Sequence, residues 1–257
     1  MSRGQKGHFS IPDEHPSEKK AAKEKITLTT VQVNTYRKGP LMDRRLVLIL
    51  ALLLVSGIAL SLAAYVFGVF PFDLEVARWL RGFDHPIFIA AIGAVSFLGD
   101  GWVPTIPVIV IAAICAFKKK WIEAVFVVAT LSAVPLYAVL KVLVGRPRPP
   151  TFAVNPFELF PLTNQYAYPS GHVLFFVVFY GFVTYLSWKL LTGRVRWISI
   201  SVCTALIVLI GPSRILVGDH WVSDVIGSYI IGTLWLIILI LLYQVELHSR
   251  SRGVEGK

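Results

Sequence analysis

Leu46–Val66 runs for 21 residues without a charged side chain. A helix needs about 20 mostly apolar residues to cross about 30 Å of hydrocarbon. In lipid, every backbone polar group must be satisfied within the chain itself, so such a run predicts a spanning helix. Further apolar runs follow at Trp102–Phe117, Trp121–Val144, His172–Leu191, Trp197–Ile210 and Trp221–Tyr243, the fifth being short. The pattern predicts an all-α bundle of six transmembrane helices. Pro104, Pro107 and Pro135 fall inside spans, where proline is tolerated better than in soluble helices. Composition agrees: 55% of the residues are hydrophobic and 16% charged, against about 25% charged in a soluble domain. A soluble globular enzyme, a disordered protein and a disulfide scaffold are excluded. Cys115 and Cys203 both fall in apolar runs and read as small core residues.

Two segments between the first and second spans are too short or too polar to cross. Phe72–Phe83 places Phe72, Val76, Trp79, Leu80 and Phe83 on one helical face, with Asp73, Glu75, Arg78 and Arg81 on the other. That amphipathic pattern predicts a short helix lying in the interface. Ile87–Leu98 is apolar but reaches only about 18 Å as a helix. It reads as a half-buried helix on the outer side, ended by Gly99-Asp100-Gly101.

The basic residues orient the bundle. Nineteen of the 25 Lys and Arg lie in the segment up to Arg45, in the turns at 118–120 and 189–196, or after the sixth span. Cytoplasmic loops carry such an excess, so both termini are expected in the cytoplasm of a multi-pass cell-membrane protein. The net charge of +10 is thereby absorbed as a topology signal, not a nucleic-acid patch. Residues 1–45 form a polar, basic tail expected to be disordered, 46–243 the membrane domain, and 244–257 a short cytoplasmic tail.

The six remaining cations are Arg78, Arg81, Lys141, Arg146, Arg148 and Arg214. A lysine inside an apolar span costs on the order of 3 kcal/mol unless paired or hydrated. Two separate connections nevertheless bring Lys141 and Arg148, and Arg214, to the outer face. Two histidines join them there. His172 follows Pro169-Ser170-Gly171 at the start of the fourth span, and His220 opens the sixth, with Asp224 four residues on. The i, i+4 spacing puts His220 and Asp224 on one helix face. Asp224 can then accept from one ring nitrogen and leave the other free as nucleophile or base. Ser170 and Gly171 sit where a helix N-terminus offers free N–H groups to an anion. Asp219 reads as a solvated loop residue, and Arg146 as a contact for a second phosphate or for headgroups.

Lys141-x6-Arg148-Pro149, Pro169-Ser170-Gly171-His172 and Ser213-Arg214-x5-His220-x3-Asp224 together resemble the three-part signature of the type-2 phosphatidic acid phosphatase superfamily. All three parts stand in the family's order with its internal spacings. The same signature occurs in soluble vanadium haloperoxidases, but six spans argue against that branch. The resemblance implies an integral-membrane phosphatase of the outer face. His220 would attack phosphorus to form a phosphohistidine, with Asp224 orienting it. His172 would protonate the leaving group and later help a water attack. Lys141, Arg148 and Arg214 would neutralise the phosphoryl oxygens, and Ser170 and Gly171 would add hydrogen bonds.

No carboxylate cluster stands near to hold Mg²⁺ or Zn²⁺, so no metal or other cofactor is expected. The expected substrate is a lipid phosphate or diphosphate, with polyprenyl diphosphate and related bacterial envelope lipids favoured over phosphatidic acid. A lipid phosphotransferase with the same intermediate stays open, as does a non-catalytic lipid-binding or transport protein. A binder needs the cations but not two poised histidines.

Overall fold

The computed structural model describes residues 43–83, 85–150 and 165–255. The polar tail up to residue 42 lies outside them, as do residues 151–164 of the connection between the expected third and fourth spans. Residues Leu46–Lys257 form one compact unit. Among the described residues the regular structure is helical, with a single isolated bridge between Pro147 and Tyr166. The helices are α1 (Arg44–Phe67), α2 (Pro71–Arg81), α3 (Pro86–Phe97), α4 (Thr105–Phe117), α5 (Trp121–Ala129), α6 (Ala133–Val144), α7 (Gly171–Leu190), α8 (Gly193–Leu216) and α9 (Val222–Glu255). α2 and α3 are the expected interfacial and half-buried helices.

Five stretches are long and apolar enough to cross a membrane: α1, the α5–α6 pair, α7, α8 and most of α9. The chain is a multi-pass membrane protein. One expected span needs correction. Trp102–Phe117 is helical only over the 13 residues of α4, which reach about 20 Å, so its helix starts later than the apolar run. Residues 101–104 form a turn instead.

α7 is the axis of the bundle. Its sequence is apolar on every face, and such a helix belongs in a core. Leu174, Phe176, Phe179 and Phe182 are fully buried. Phe175 and Phe179 stack at 5.5 Å, and Phe179 meets Tyr180 edge-on at 4.8 Å. α6, α8 and α9 pack around it. α1 is the opposite case: apolar but largely exposed, it presents its side chains to lipid.

Two prolines are accommodated by different means. Pro135 has no N–H for the carbonyl four residues back, and its ring crowds that carbonyl. The chain answers with a single 3₁₀ turn, Thr130–Ser132, between α5 and α6. Pro212 lies inside α8 and frees the carbonyl of Val208. Tyr229 of α9 reaches across and donates to Ile207 O at 2.6 Å, with Val208 O at 3.4 Å. A Cβ on Gly211 would sit 2.7 Å from that hydroxyl, so a glycine is needed for the approach. This support corrects the expected end of the fifth span. The helix continues past Ile210 through Pro212 to Leu216 and carries Arg214 with it. α9 likewise runs on beyond Tyr243, to Glu255.

Candidate active site

Four helix ends meet on one side of the bundle. α6 supplies Lys141 and ends on Gly145, whose φ of +61° is the left-handed conformation that glycine adopts without a Cβ clash. The chain turns there into Arg146-Pro147-Arg148. α7 begins at Gly171, with Ser170 as its N-cap residue. α8 ends with Arg214, and the short link to α9 carries Asp219 and His220. Lys141, Arg148, Gly171, His172, Arg214, Asp219 and His220 line one open pocket. The 99–105 turn, Leu131, Val134, Tyr137 and Phe175 complete its walls.

Six of the eight expected site residues therefore share the pocket, and two stand behind it. Asp224 is fully buried, with Oδ2 3.6 Å from His220 Nδ1. That oxygen accepts the Trp221 N–H at 2.8 Å, while His220 Nδ1 has no hydrogen-bond partner. Ser170 is also fully buried, and its N–H is taken by Ser228 Oγ at 2.7 Å. Its backbone N–H is thus occupied, while its hydroxyl has no hydrogen-bond partner. The first-turn N–H groups at Gly171 and His172 are the ones a helix start leaves for an anion. A Cβ on Gly171 would come within 3.1 Å of the Tyr137 ring, so only glycine fits closely there.

Three residues read differently in the sequence. Asp219 is not solvated: it is buried and ion-paired to Arg214 Nη2. Its backbone oxygen also accepts from Arg148 Nη1 at 3.3 Å. Arg146 does not face the pocket or lipid headgroups but is fully buried behind the site. Asp73 leaves the polar face assigned to it and is fully buried against Arg146. A fourth residue, Asp100, was read only as a helix stop. Its Oδ1 accepts from His172 Nε2 at 2.9 Å and lies 3.7 Å from Arg214 Nη1. The available signal was a carboxylate bracketed by glycines inside an apolar stretch.

The charges set the protonation states. Burial first, then the fields of Arg148, Lys141, Arg214 and His172, press His220 well below the ordinary imidazole value. It is therefore neutral, with a nitrogen lone pair available at physiological pH. Burial pushes the Asp100 carboxyl up. The hydrogen bond to His172 and the fields of His172 and Arg214 outweigh this, and Asp100 titrates below its ordinary value. Among the described residues no three His, Cys, Asp or Glu side chains converge to hold a metal ion. The arrangement is a cation-walled anion pocket with a neutral imidazole at one wall and a carboxylate-held imidazole at another.

Known proteins resemble the chain over this region. An undecaprenyl-diphosphatase of Sulfolobus acidocaldarius is 34% identical over 139 residues, covering 54% of this chain and 61% of that protein. The match thus spans less than two thirds of that relative. A phosphatidylglycerophosphatase B of Bacillus subtilis is 29% identical over 153 residues, covering 57% of this chain and 68% of that protein. The crystal structure of a transmembrane PAP2-type phosphatidylglycerolphosphate phosphatase from Bacillus subtilis shares the fold, with a TM-score of 0.62 and 22% identity. It covers 74% of this chain and 93% of its own. The PAP2 superfamily model matches residues 122–247, the stretch that holds Lys141, Arg148, both histidines, Arg214 and Asp224. The match to the PAP2 superfamily model and the three-part signature thus fall on the same stretch, residues 122–247, within a bundle that shares its fold with a membrane PAP2 phosphatase.

Proposed function

We propose that the chain is a membrane-embedded phosphatase that hydrolyses a lipid phosphate or polyprenyl diphosphate through a phosphohistidine on His220, without a metal. The observation that carries this reading is the meeting of His172 and His220 in one pocket with Lys141, Arg148 and Arg214. Phosphoryl transfer is mostly positioning and charge stabilisation, so three cations at the wall do much of what is needed. The lone pair of the pocket-facing His220 nitrogen forms an N–P bond as the bond from phosphorus to the leaving oxygen breaks. His172 gives its proton to that oxygen. Water then attacks phosphorus and passes a proton to His172. The N–P bond breaks, its electron pair returns to His220, and phosphate leaves. Asp224 stabilises the positive ring in between, and Asp100 holds His172 in orientation. The pocket lies at the helix ends opposite the basic turns, on the extracytoplasmic face, where a lipid enters from the bilayer. Relatives named undecaprenyl-diphosphatase and phosphatidylglycerophosphatase B support a lipid-borne phosphate or diphosphate as substrate, the first favouring a polyprenyl diphosphate.

The test is phosphate release by the purified full-length protein in mixed micelles, with excess chelator. Polyprenyl diphosphate, phosphatidylglycerol phosphate and phosphatidic acid are compared. Release from at least one of them in chelator is expected, fastest from polyprenyl diphosphate. Activity that vanishes with chelator and returns with Mg²⁺ overturns the metal-free pocket. Absence of release from all three overturns the hydrolase reading.

A further inference from the structure

The two arginines of Gly145-Arg146-Pro147-Arg148-Pro149 part ways. Arg148 lines the pocket, whereas Arg146 points behind it and is fully buried. Its guanidinium is held on every side. Nη1 donates to Asp224 Oδ1 at 2.5 Å and to Ser223 Oγ at 2.7 Å. Nη2 donates to Asp73 Oδ2 at 2.8 Å, and Nε donates to the carbonyl of Gly68. Asp73 in turn receives the Ser223 N–H on Oδ1 at 2.8 Å and the Ser223 hydroxyl on Oδ2 at 2.9 Å. A side chain of α2 thereby caps the first turn of α9, a service normally done by a residue of the same helix.

A buried ion pair is weak evidence for stability, because desolvation consumes most of the attraction. This cluster has a more specific consequence. Asp224 has two oxygens, and each has a fixed assignment. Oδ1 is taken by Arg146, while Oδ2 is turned to the Trp221 N–H and toward His220 Nδ1. Rotation of the carboxylate about its last bond would break both sets at once. The cluster carries one guanidinium and two carboxylates. Asp224 is the carboxylate of this cluster that lies beside the ring that turns positive when it takes up a phosphoryl group.

We propose that Arg146, anchored by Asp73 of α2, is a positioning residue that fixes Asp224 and through it the nucleophilic ring of His220. The role rests on the hydrolase reading above. Lysine does not replace arginine here, since one ammonium lacks the planar fork that spans Asp73 and Asp224.

The test is a double-mutant cycle on the full-length protein with an aryl phosphate, reading kcat, KM and acid-quenched phosphoenzyme. Arg146→Lys is expected to lower kcat about 10–100-fold, the scale of an ångström-sized misplacement. KM should change little, because Arg146 does not line the pocket. Asp73→Asn, a milder loosening, should give a smaller loss of the same kind. In an Asp224→Asn background neither change should cost anything further. Losses that multiply with Asp224→Asn, or that appear in KM, overturn the positioning role while leaving the hydrolase reading intact. A wild-type protein without turnover sinks both. If Arg146→Lys fails to fold, Asp73→Asn decides. Failure of both to fold marks the cluster as a structural clamp and overturns the proposal.

Discussion

Gly99→Ala adds one methyl group, yet it should act as an active-site mutation. A Cβ at position 99 would stand 2.1 Å from Cδ2 of His172 and 3.1 Å from both Cγ and Nε2. Carbon atoms settle at about 3.5–4.0 Å, so the ring must withdraw by roughly 1.5 Å. Its hydrogen bond to Asp100, 2.9 Å long, would not survive that movement in its present form. Misplacing a reacting group by about 1 Å costs on the order of 10²-fold, and a general acid contributes about 10²–10⁴-fold in all. The expected loss on a lipid phosphate is therefore about 10²-fold or somewhat more, bounded by the loss in His172→Ala. The assay is phosphate release by both single variants and the double variant, with thermal unfolding as a control. In the His172→Ala background the alanine at 99 meets no ring, so Gly99→Ala should then be silent. A Gly99→Ala protein with wild-type activity, or one that loses as much with His172 absent as with it present, would refute the reasoning.

The histidines should separate by their intermediates. His220→Ala should form no phosphoenzyme from an aryl phosphate, whereas His172→Ala should accumulate it, because such a leaving group needs little protonation and the trapped intermediate lacks its base. The reverse pattern in acid-quenched labelling would exchange the roles. The pH dependence has a definite sign: the nucleophile is the neutral ring, and its folded value lies well under the ordinary 6.5. Activity should therefore hold as pH falls through 6.5 and be lost only below it. Arg148→Gln removes the first-ranked neighbouring charge and should move that acid limb upward; a kcat/KM limb at or above 6.5 in the wild type contradicts the assignment. Tyr229→Phe removes the hydroxyl that donates to the Ile207 carbonyl, and a hydrogen bond of this kind contributes about 0.5–1.5 kcal/mol. A drop in thermal midpoint is expected, and an unchanged midpoint would show that α8 needs no such support.

Apolar runs and the placement of positive charge make the bundle legible from sequence, because lipid imposes both directly on composition. Lys141, Arg148, His172, Arg214 and His220 are legible for a related reason: cations and histidines gathered at one membrane face have no cheaper explanation. The buried polar network behind them is not. Arg146 finds Asp73 across 73 positions, and Ser223 finds it across 150. Periodicity assigns Asp73 a face of α2 but does not say what packs on that face. Asp219 escapes on the same ground, since a charged loop residue is solvated until another element covers it, and Asp100 reads as no more than part of a glycine-bracketed helix stop. The end of α8 escaped for a different reason. Gly211-Pro212 reads as a break, and the hydroxyl that mends it comes from another helix.

The short helix α4 has a consequence for how this domain sits across its two aqueous phases. The pocket is lined both by Lys141 and by Leu131, which lies ten residues earlier and hence about 15 Å along the helical rise. Pro104 and Thr105, where α4 starts, line the same cavity. The pocket thus extends below the level of Lys141, and Gly99 and Gly101 of the 99–104 turn line it, so this turn's polar backbone borders a cavity instead of acyl chains. A helix of about 20 Å is then long enough, because only the remaining thickness is left for it to insulate. In the phosphatase proposed above, a lipid headgroup bound at His220 would lie in this pocket, and its ionised phosphate need never enter hydrocarbon.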